Sequence, residues 1–266
     1  AGGSLTGNIA TKGITSVTLG SGNFVAGSTA GDSIVSGGNY NTLVGDNAGT
    51  AVTTGDYNVA LGKSALANNT TASNNTAVGS DALNANTTGA HLVAVGSGAL
   101  ENNTTGNYNV AVGKMTLRTN TTGASNVGAG YETLYLNTTG SNNVVFGRAS
   151  MYTNTTGSNN VAVGHDSLKA NTTGTDNVAL GANALDSNTT ANDNIAIGRL
   201  ALQANTTGAN NVAMGSSALY NNTTASNNTA VGRSALLANT TGSYNTASGM
   251  NALDANTTGA ENTAFG

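Results

Sequence analysis

From Asn41 to Gly266 the apolar and polar positions recur with a period of 17 residues, without insertion or deletion. An Asn-x-Ala-x-Gly box sets the phase. Its glycines run from Gly45 and Gly62 to Gly249 and Gly266, fourteen with no exception, and its asparagines from Asn41 to Asn262 with Leu92 as the single departure. A leucine column follows (Leu66, Leu83 and on to Leu253, interrupted by Met151), then an Asn-Thr-Thr box found twelve times between Asn69 and Asn256. In the unit Asn160 to Asp176, the box Asn160–Gly164 predicts a short strand, with Val161 and Val163 on one side and Asn160, Ala162 and Gly164 on the other. The segment Asn171-Thr172-Thr173-Gly174 predicts a turn or a second short strand ended by a φ-permissive residue. No 3.6-residue stripe runs through the unit, and Asn, Gly and Thr are poor helix formers.

A unit this short cannot close a core of its own. Stacked rungs align the aliphatic side chains into columns and pair each backbone with the rungs above and below. The predicted fold is therefore all-β, a parallel β-solenoid with one 17-residue rung per repeat over residues 41–266, the last unit incomplete. Identical Asn and Thr side chains at one position predict hydrogen-bonded ladders. Before Asn41 the period loosens. Asn23-Phe24-Val25-Ala26-Gly27 repeats the box one residue out of phase, and residues 1–22 carry only echoes such as Asn8-Ile9-Ala10. Residues 1–40 read as irregular first rungs or a join to an upstream module. An array this uniform also predicts a device that fixes register, either those first residues or a neighbouring domain.

The alternation of the box bears on assembly. If the Val and Leu columns fill the interior, the alanine column (Ala60, Ala77, Ala94, Ala111, then Gly128, Val145 and Ala162 onward) faces outward as a flat apolar strip. Cyclic association of identical chains would bury such a strip. A homotrimer is the expectation, and a monomeric three-sided solenoid the alternative.

Composition narrows the function. The 266 residues include 37 Gly, no Pro, Cys or Trp, and only 8% charged residues, with a net charge of −4. The absence of cysteine removes disulfide scaffolds and Cys-ligated zinc. A chain this poor in Lys and Arg lacks the electrostatic footprint of a nucleic-acid binder. No apolar run approaches the ~20 residues of a membrane span, so no membrane insertion of this segment is expected. The opening Ala1-Gly2-Gly3-Ser4, without Met, reads as a processed product or a piece of something longer.

Candidate chemistry is sparse. His91 and His165 occupy different places in the unit, and His165-Asp166 are chain neighbours rather than a relay. Asp176 and Asp193 share a column and stack about one strand spacing apart, which offers two carboxylates to a cation but no further fixed oxygen ligand. Nucleophile-elbow and phosphate-loop patterns are absent. No catalytic residue, cofactor or metal is assigned, and an enzyme is not expected. The Asn-Thr-Thr boxes are formal glycosylation sequons, but their repetition at one structural place favours ladders. A flat Thr array for ice is disfavoured because adjacent Thr residues on a strand face opposite sides. The variable columns are the exposed corners by elimination, and they supply the candidate receptor contacts: Tyr57, Tyr108 and Tyr244 in one; Tyr131, Arg199 and Arg233 in a second; Tyr135, Tyr152 and Tyr220 in a third. Tyr and Arg are favoured at interfaces.

The box, as in Asn194-Ile195-Ala196-Ile197-Gly198, resembles the head repeats of YadA-like trimeric autotransporter adhesins. The longer unit, NTAVGRSALLANTTGSY from Asn228 to Tyr244, is similar to repeat regions of phage tail fibres. The resemblance covers residues 41–266, although the adhesin head repeat is commonly shorter than 17 residues. It implies a trimeric β-roll acting as an extracellular spacer and host- or receptor-attachment fibre of a phage or bacterial surface, with self-association and a cell-surface glycan or protein as partners. A monomeric ice- or glycan-binding solenoid is the alternative.

Overall fold

The structure, a computed structural model, describes residues 20–266. Among the described residues fifteen strands of three residues each lie in one parallel sheet in chain order, from β1 (Phe24–Ala26) and β2 (Thr42–Val44) to β15 (Thr263–Phe265). Every register from β2 onward is 17 residues, as in Val161↔Val178 and Val178↔Ile195. The chain is a β-solenoid with one strand per rung. The expected strand at Val161–Val163 is present, whereas Asn-Thr-Thr-Gly is a turn rather than a second strand.

The out-of-phase box at Asn23 is a true rung. Phe24 pairs with Thr42, an 18-residue step. The additional residue falls between Val35 and Gly38, where Gly37 takes a φ of 124°. Asn8-Ile9-Ala10 lies outside the described residues.

Inter-rung hydrogen bonding does not stop at the strands. Around the coil, backbone amides donate to the rung on one side or the other: Val161 N to Asn177 O at 2.8 Å, Asp166 N to Arg148 O at 3.1 Å, Leu168 N to Ala184 O at 2.9 Å. The irregular path that this requires is set by left-handed corners. In the unit starting at Asn160, Gly164 (φ 142°), Asp166 (φ 55°), Leu168 (φ 50°) and Asp176 (φ 58°) all have positive φ. A non-glycine residue in this region costs roughly 1–2 kcal/mol. At the leucine column the cost is offset by burial, since Leu168 is fully enclosed and a buried leucine truncated to alanine typically loses 2–5 kcal/mol.

So tight a coil has little interior, and this reverses one sequence expectation. The alanine column faces inward: Ala60, Ala94, Ala111, Ala162 and Ala196 are fully buried. The residues on either side of each alanine face outward, Val59 at 37%, Leu61 at 49% and Val112 at 43% exposure. Each regular rung thus contributes one large apolar side chain to the core, the leucine, together with the alanine before it in the chain (Ala65-Leu66, Ala184-Leu185). Two asparagine ladders fill most of the remaining space, so the inward strand position is a methyl in most rungs, with Val25, Leu43 and Val145 as the larger buried exceptions.

Both ladders are buried along most of their length, and the first is continuous. In the first, each Asn of the Asn-Thr-Thr box donates Nδ2 to Oδ1 of its counterpart one rung earlier, as in Asn154 to Asn137 (2.7 Å) and Asn171 to Asn154 (2.9 Å). The series is unbroken from Asn256 back to Asn69. In the second, the backbone N–H of each box Asn donates to Oδ1 of the preceding one, as in Asn177 to Asn160 (3.0 Å). Both ladders clasp the same turn carbonyl: Gly174 O accepts from Asn160 Nδ2 (2.9 Å) and from Asn171 Nδ2 (3.0 Å). Leu92 interrupts the second ladder. Its backbone N–H still reaches Asn75 Oδ1 (3.0 Å), but its side chain has no oxygen to pass on to the next rung. Among the described residues Asn228 Nδ2 is buried without a partner, and the structure gives no physical account of that exception.

In the middle of the rod Thr116, Thr133, Ser150 and Ser167 replace the alanine that precedes leucine. Their hydroxyls donate to carbonyls, as Ser167 does to Gly164 O (3.0 Å), so the replacement leaves no orphan. Gly128 stands where the inward alanine belongs, because a Cβ there would lie 2.8 Å from the Thr116 methyl.

Candidate interaction surface

The outward strand positions form two columns running the length of the sheet. One contains Val59, Val144 and Ile195 at 36–37% exposure; the other contains Leu61, Val112, Phe146 and Met214 at 41–49%. With strands about 4.8 Å apart, fourteen steps give a strip about 67 Å long. Taking its width as ~10 Å, the strip covers on the order of 700 Å²; with Thr42, Thr76, Thr229, Thr246, Thr263 and Ser248 as its polar members, its apolar part lies at the upper end of the ~300–600 Å² of the largest patch on an ordinary monomer. Sequence reasoning placed the strip on the wrong residues. In most rungs both sets are apolar, so alternation within one rung did not reveal which was enclosed, although Thr42, Thr76, Thr229, Thr246, Thr263 and Ser248 occur only in the outward set. A usable signal was the spread of sizes: the inward column is nearly all alanine, while the outward one runs from Ala129 to Phe146 and Met214. A packed interior tolerates little change of volume.

The candidate contact residues sit in three separate columns. Tyr57, Tyr108 and Tyr244 lie in the column immediately before each box, 57–63% exposed. Tyr131, Arg199 and Arg233 lie in the column immediately after the box glycine and are exposed. Tyr135, Tyr152 and Tyr220 lie beyond the leucine column and are half-buried. The structure does not bring these nine together into one site.

Neighbours along a column do touch. Tyr40 stacks on Tyr57 and His91 on Tyr108, each pair with centroids 5.1 Å apart. In the third column Glu101 and Arg118 pair at 2.6 Å, Arg118 donates to the Tyr135 hydroxyl at 2.8 Å, and Tyr135 stacks on Tyr152 at 5.0 Å. The Glu101 carboxylate, then Tyr135, hold the Arg118 guanidinium even more firmly protonated than usual. The Tyr131 hydroxyl is raised above its ordinary value chiefly by its hydrogen bond to Glu132, and Tyr152 by desolvation. Burial likewise raises the Asp186 carboxyl. Where rings stack along the rod, their faces cover one another. Tyr135 is covered by Arg118 as well as by Tyr152.

Asp176 and Asp193 do occupy successive rungs of one column, both exposed. No group of three or more His, Asp or Glu side chains among the described residues is placed to hold a metal ion. The twelve Asn-Thr-Thr boxes present no free amide: Asn154 and Asn171 are fully buried with Nδ2 already shared between two acceptors. In every box but the last, the first Thr donates its hydroxyl to the backbone of the next rung, as Thr155 does to Thr172 O at 3.0 Å, and only the second Thr is exposed. The chain matches no family model, no curated protein and no solved structure.

Proposed function

We propose that this chain is the shaft of an extracellular attachment fibre, of a phage or bacterial surface, in which identical copies, three in the preferred arrangement, pack their outward sheet faces against one another. The observation that carries this reading is the largely apolar strip of two columns over the fifteen strands, polar at five threonines and Ser248. A lone rod would hold it in water along its whole length. A second copy of the same chain covers it end to end, because a column with a 17-residue repeat matches another of the same repeat over any length. Small stacked coils bonded rung to rung provide length and stiffness. The sequence resemblance to adhesin heads and tail-fibre repeats agrees with this use. The strip's relief, from Ala129 to Phe146, argues against a lattice-matching face for ice.

Val112 and Val163 face outward at 43% and 39% exposure, so their replacement is expected to leave the coil intact. The double variant Val112→Lys, Val163→Lys is expected to keep the circular dichroism of the parent and to sediment as a 25.9 kDa monomer. An unchanged oligomer would show that the interface lies elsewhere; a monomeric parent would remove the reading.

A further inference from the structure

The two margins of the apolar strip carry different chemistry. On one side, directly after the box glycine, stand Lys63, Lys114, Arg148, Arg199 and Arg233, all exposed, with Asp46 as the single carboxylate. These are five of the seven Lys and Arg among the described residues, the others being Arg118 and Lys169. On the other side, directly before the box, stand Tyr57, Tyr108, Asp176, Asp193, Tyr244 and Glu261, with His91 but no Lys or Arg in that column. Within one chain the margins are separated by the width of the strand. Among the described residues none of the five cations makes an ion pair with a carboxylate of its own chain; the pairs formed are Arg118–Glu101, Lys169–Asp166 and His165–Asp166.

This asymmetry discriminates between packings. If two sheet faces meet with the rods antiparallel, each margin faces its own kind, and cations oppose cations. If the rods run parallel about an axis along the fibre, each margin faces the opposite margin of its neighbour. Cyclic symmetry also permits no axial shift, since a shifted ring does not close. Residues flanking the same strand then come level across the interface. Tyr57 and Lys63 flank Val59–Leu61, Tyr108 and Lys114 flank Val110–Val112, and Asp193 and Arg199 flank Ile195–Ile197. Two of these are cation–ring pairs and the third is an ion pair, each matching in sign or polarity. Tyr244 and Met250 flank Thr246–Ser248 in the same way and offer a sulfur–ring contact.

Resting on the self-association proposed above, we infer that copies of this chain assemble parallel and flush, with Lys63, Lys114 and Arg199 of one copy set against Tyr57, Tyr108 and Asp193 of the next. The paired margins set the relative orientation of neighbouring copies, and the cyclic symmetry sets their axial register. Charge complementarity of this kind sets orientation and suppresses wrong pairings more than it adds affinity.

The chain contains no cysteine, so introduced thiols are unique. The purified double variant Tyr57→Cys, Lys63→Cys, treated with a short bismaleimide, is expected to give covalent oligomers on a denaturing gel, whereas Tyr57→Cys alone and Lys63→Cys alone give monomers. Self-linking of either single variant places like margins together and overturns the proposal, as does an oligomeric double variant that fails to link. Sedimentation of the untreated parent separates the two levels: a monomeric parent removes self-association itself. As a second arm, Asp193→Arg, which opposes Arg199 with a like charge, should weaken association by about tenfold or more, and adding Arg199→Asp should restore it. Equal weakening in the single and double variants would contradict the pairing.

Discussion

Replacing Asn154 by aspartate is expected to destabilise the rod by about 3–5 kcal/mol at neutral pH, the range for stranding an uncompensated charge in an interior. The change removes one nitrogen and no volume. Asn154 Nδ2 donates to Asn137 Oδ1 at 2.7 Å and to Gly157 O at 2.9 Å, while its Oδ1 accepts from Asn171 at 2.9 Å. Aspartate keeps the last contact but turns an oxygen towards two oxygens, in a site with no solvent exposure. Burial raises the carboxyl's pKa above its ordinary value of about 3.9. The folded state then binds a proton that the unfolded state has released. Stability therefore falls as pH rises from about 4 through the raised value, and acid restores part of it because a protonated carboxyl donates again. Urea denaturation of the parent and the variant at pH 4 and pH 8 reads this directly. A variant deficit that is the same at both pH values would mean that the ladder is not enclosed as described.

The other large effect is expected at the box glycine. Gly164 has a φ of 142°, and a Cβ built on it would lie 2.5 Å from Gly181 O and 2.6 Å from the same carbonyl carbon. Backbone atoms of the next rung cannot yield without breaking the ladder, where Gly164 N donates to Phe146 O and Gly181 N to Val163 O, each at 2.8 Å. Strain in a region closed to side chains costs of order 1–3 kcal/mol, and overpacking a further 1–3. Gly164→Ala should therefore lose about 2–6 kcal/mol. Gly174→Ala is the comparison: a Cβ there also crowds the next rung, at the Ala191 carbonyl oxygen and Asn171 Oδ1, but no positive φ is required and the same column already holds Ala72, Ala191 and Ala225. Its urea midpoint should fall by less than that of Gly164→Ala. Comparable losses at both glycines would show that crowding, rather than the φ of the box corner, keeps this column invariant across fourteen rungs.

The sequence carried the period, the strand at each box, the asparagine ladders and the solenoid itself, because these follow from identical residues stacking at a fixed repeat. It did not carry the inside and outside of the strand. Val161-Ala162-Val163 is apolar throughout, and a run of apolar residues does not announce its buried side. The answer came from the tightness of the coil, which depends on left-handed leucines such as Leu168. Leucine is an unexpected residue for that conformation, and burial in the leucine column overrides its local preference. The first rung was legible in its Asn23–Gly27 box and obscured by one additional residue near Gly37. The exposed corners were found by elimination, yet their meaning changed. They border a valine-rich strip rather than an alanine one, and the sign difference between Lys63 or Arg199 on one border and Tyr57 or Asp193 on the other became readable only once the strip was placed between them.

The central claim is that the outward sheet face is buried between copies of the chain. Analytical ultracentrifugation of the purified protein over a wide concentration range tests it most directly. A species of three times 25.9 kDa with the high frictional ratio of a rod is the expected result. A 25.9 kDa monomer at every concentration would leave the Val112 and Ile195 columns in water and contradict the account.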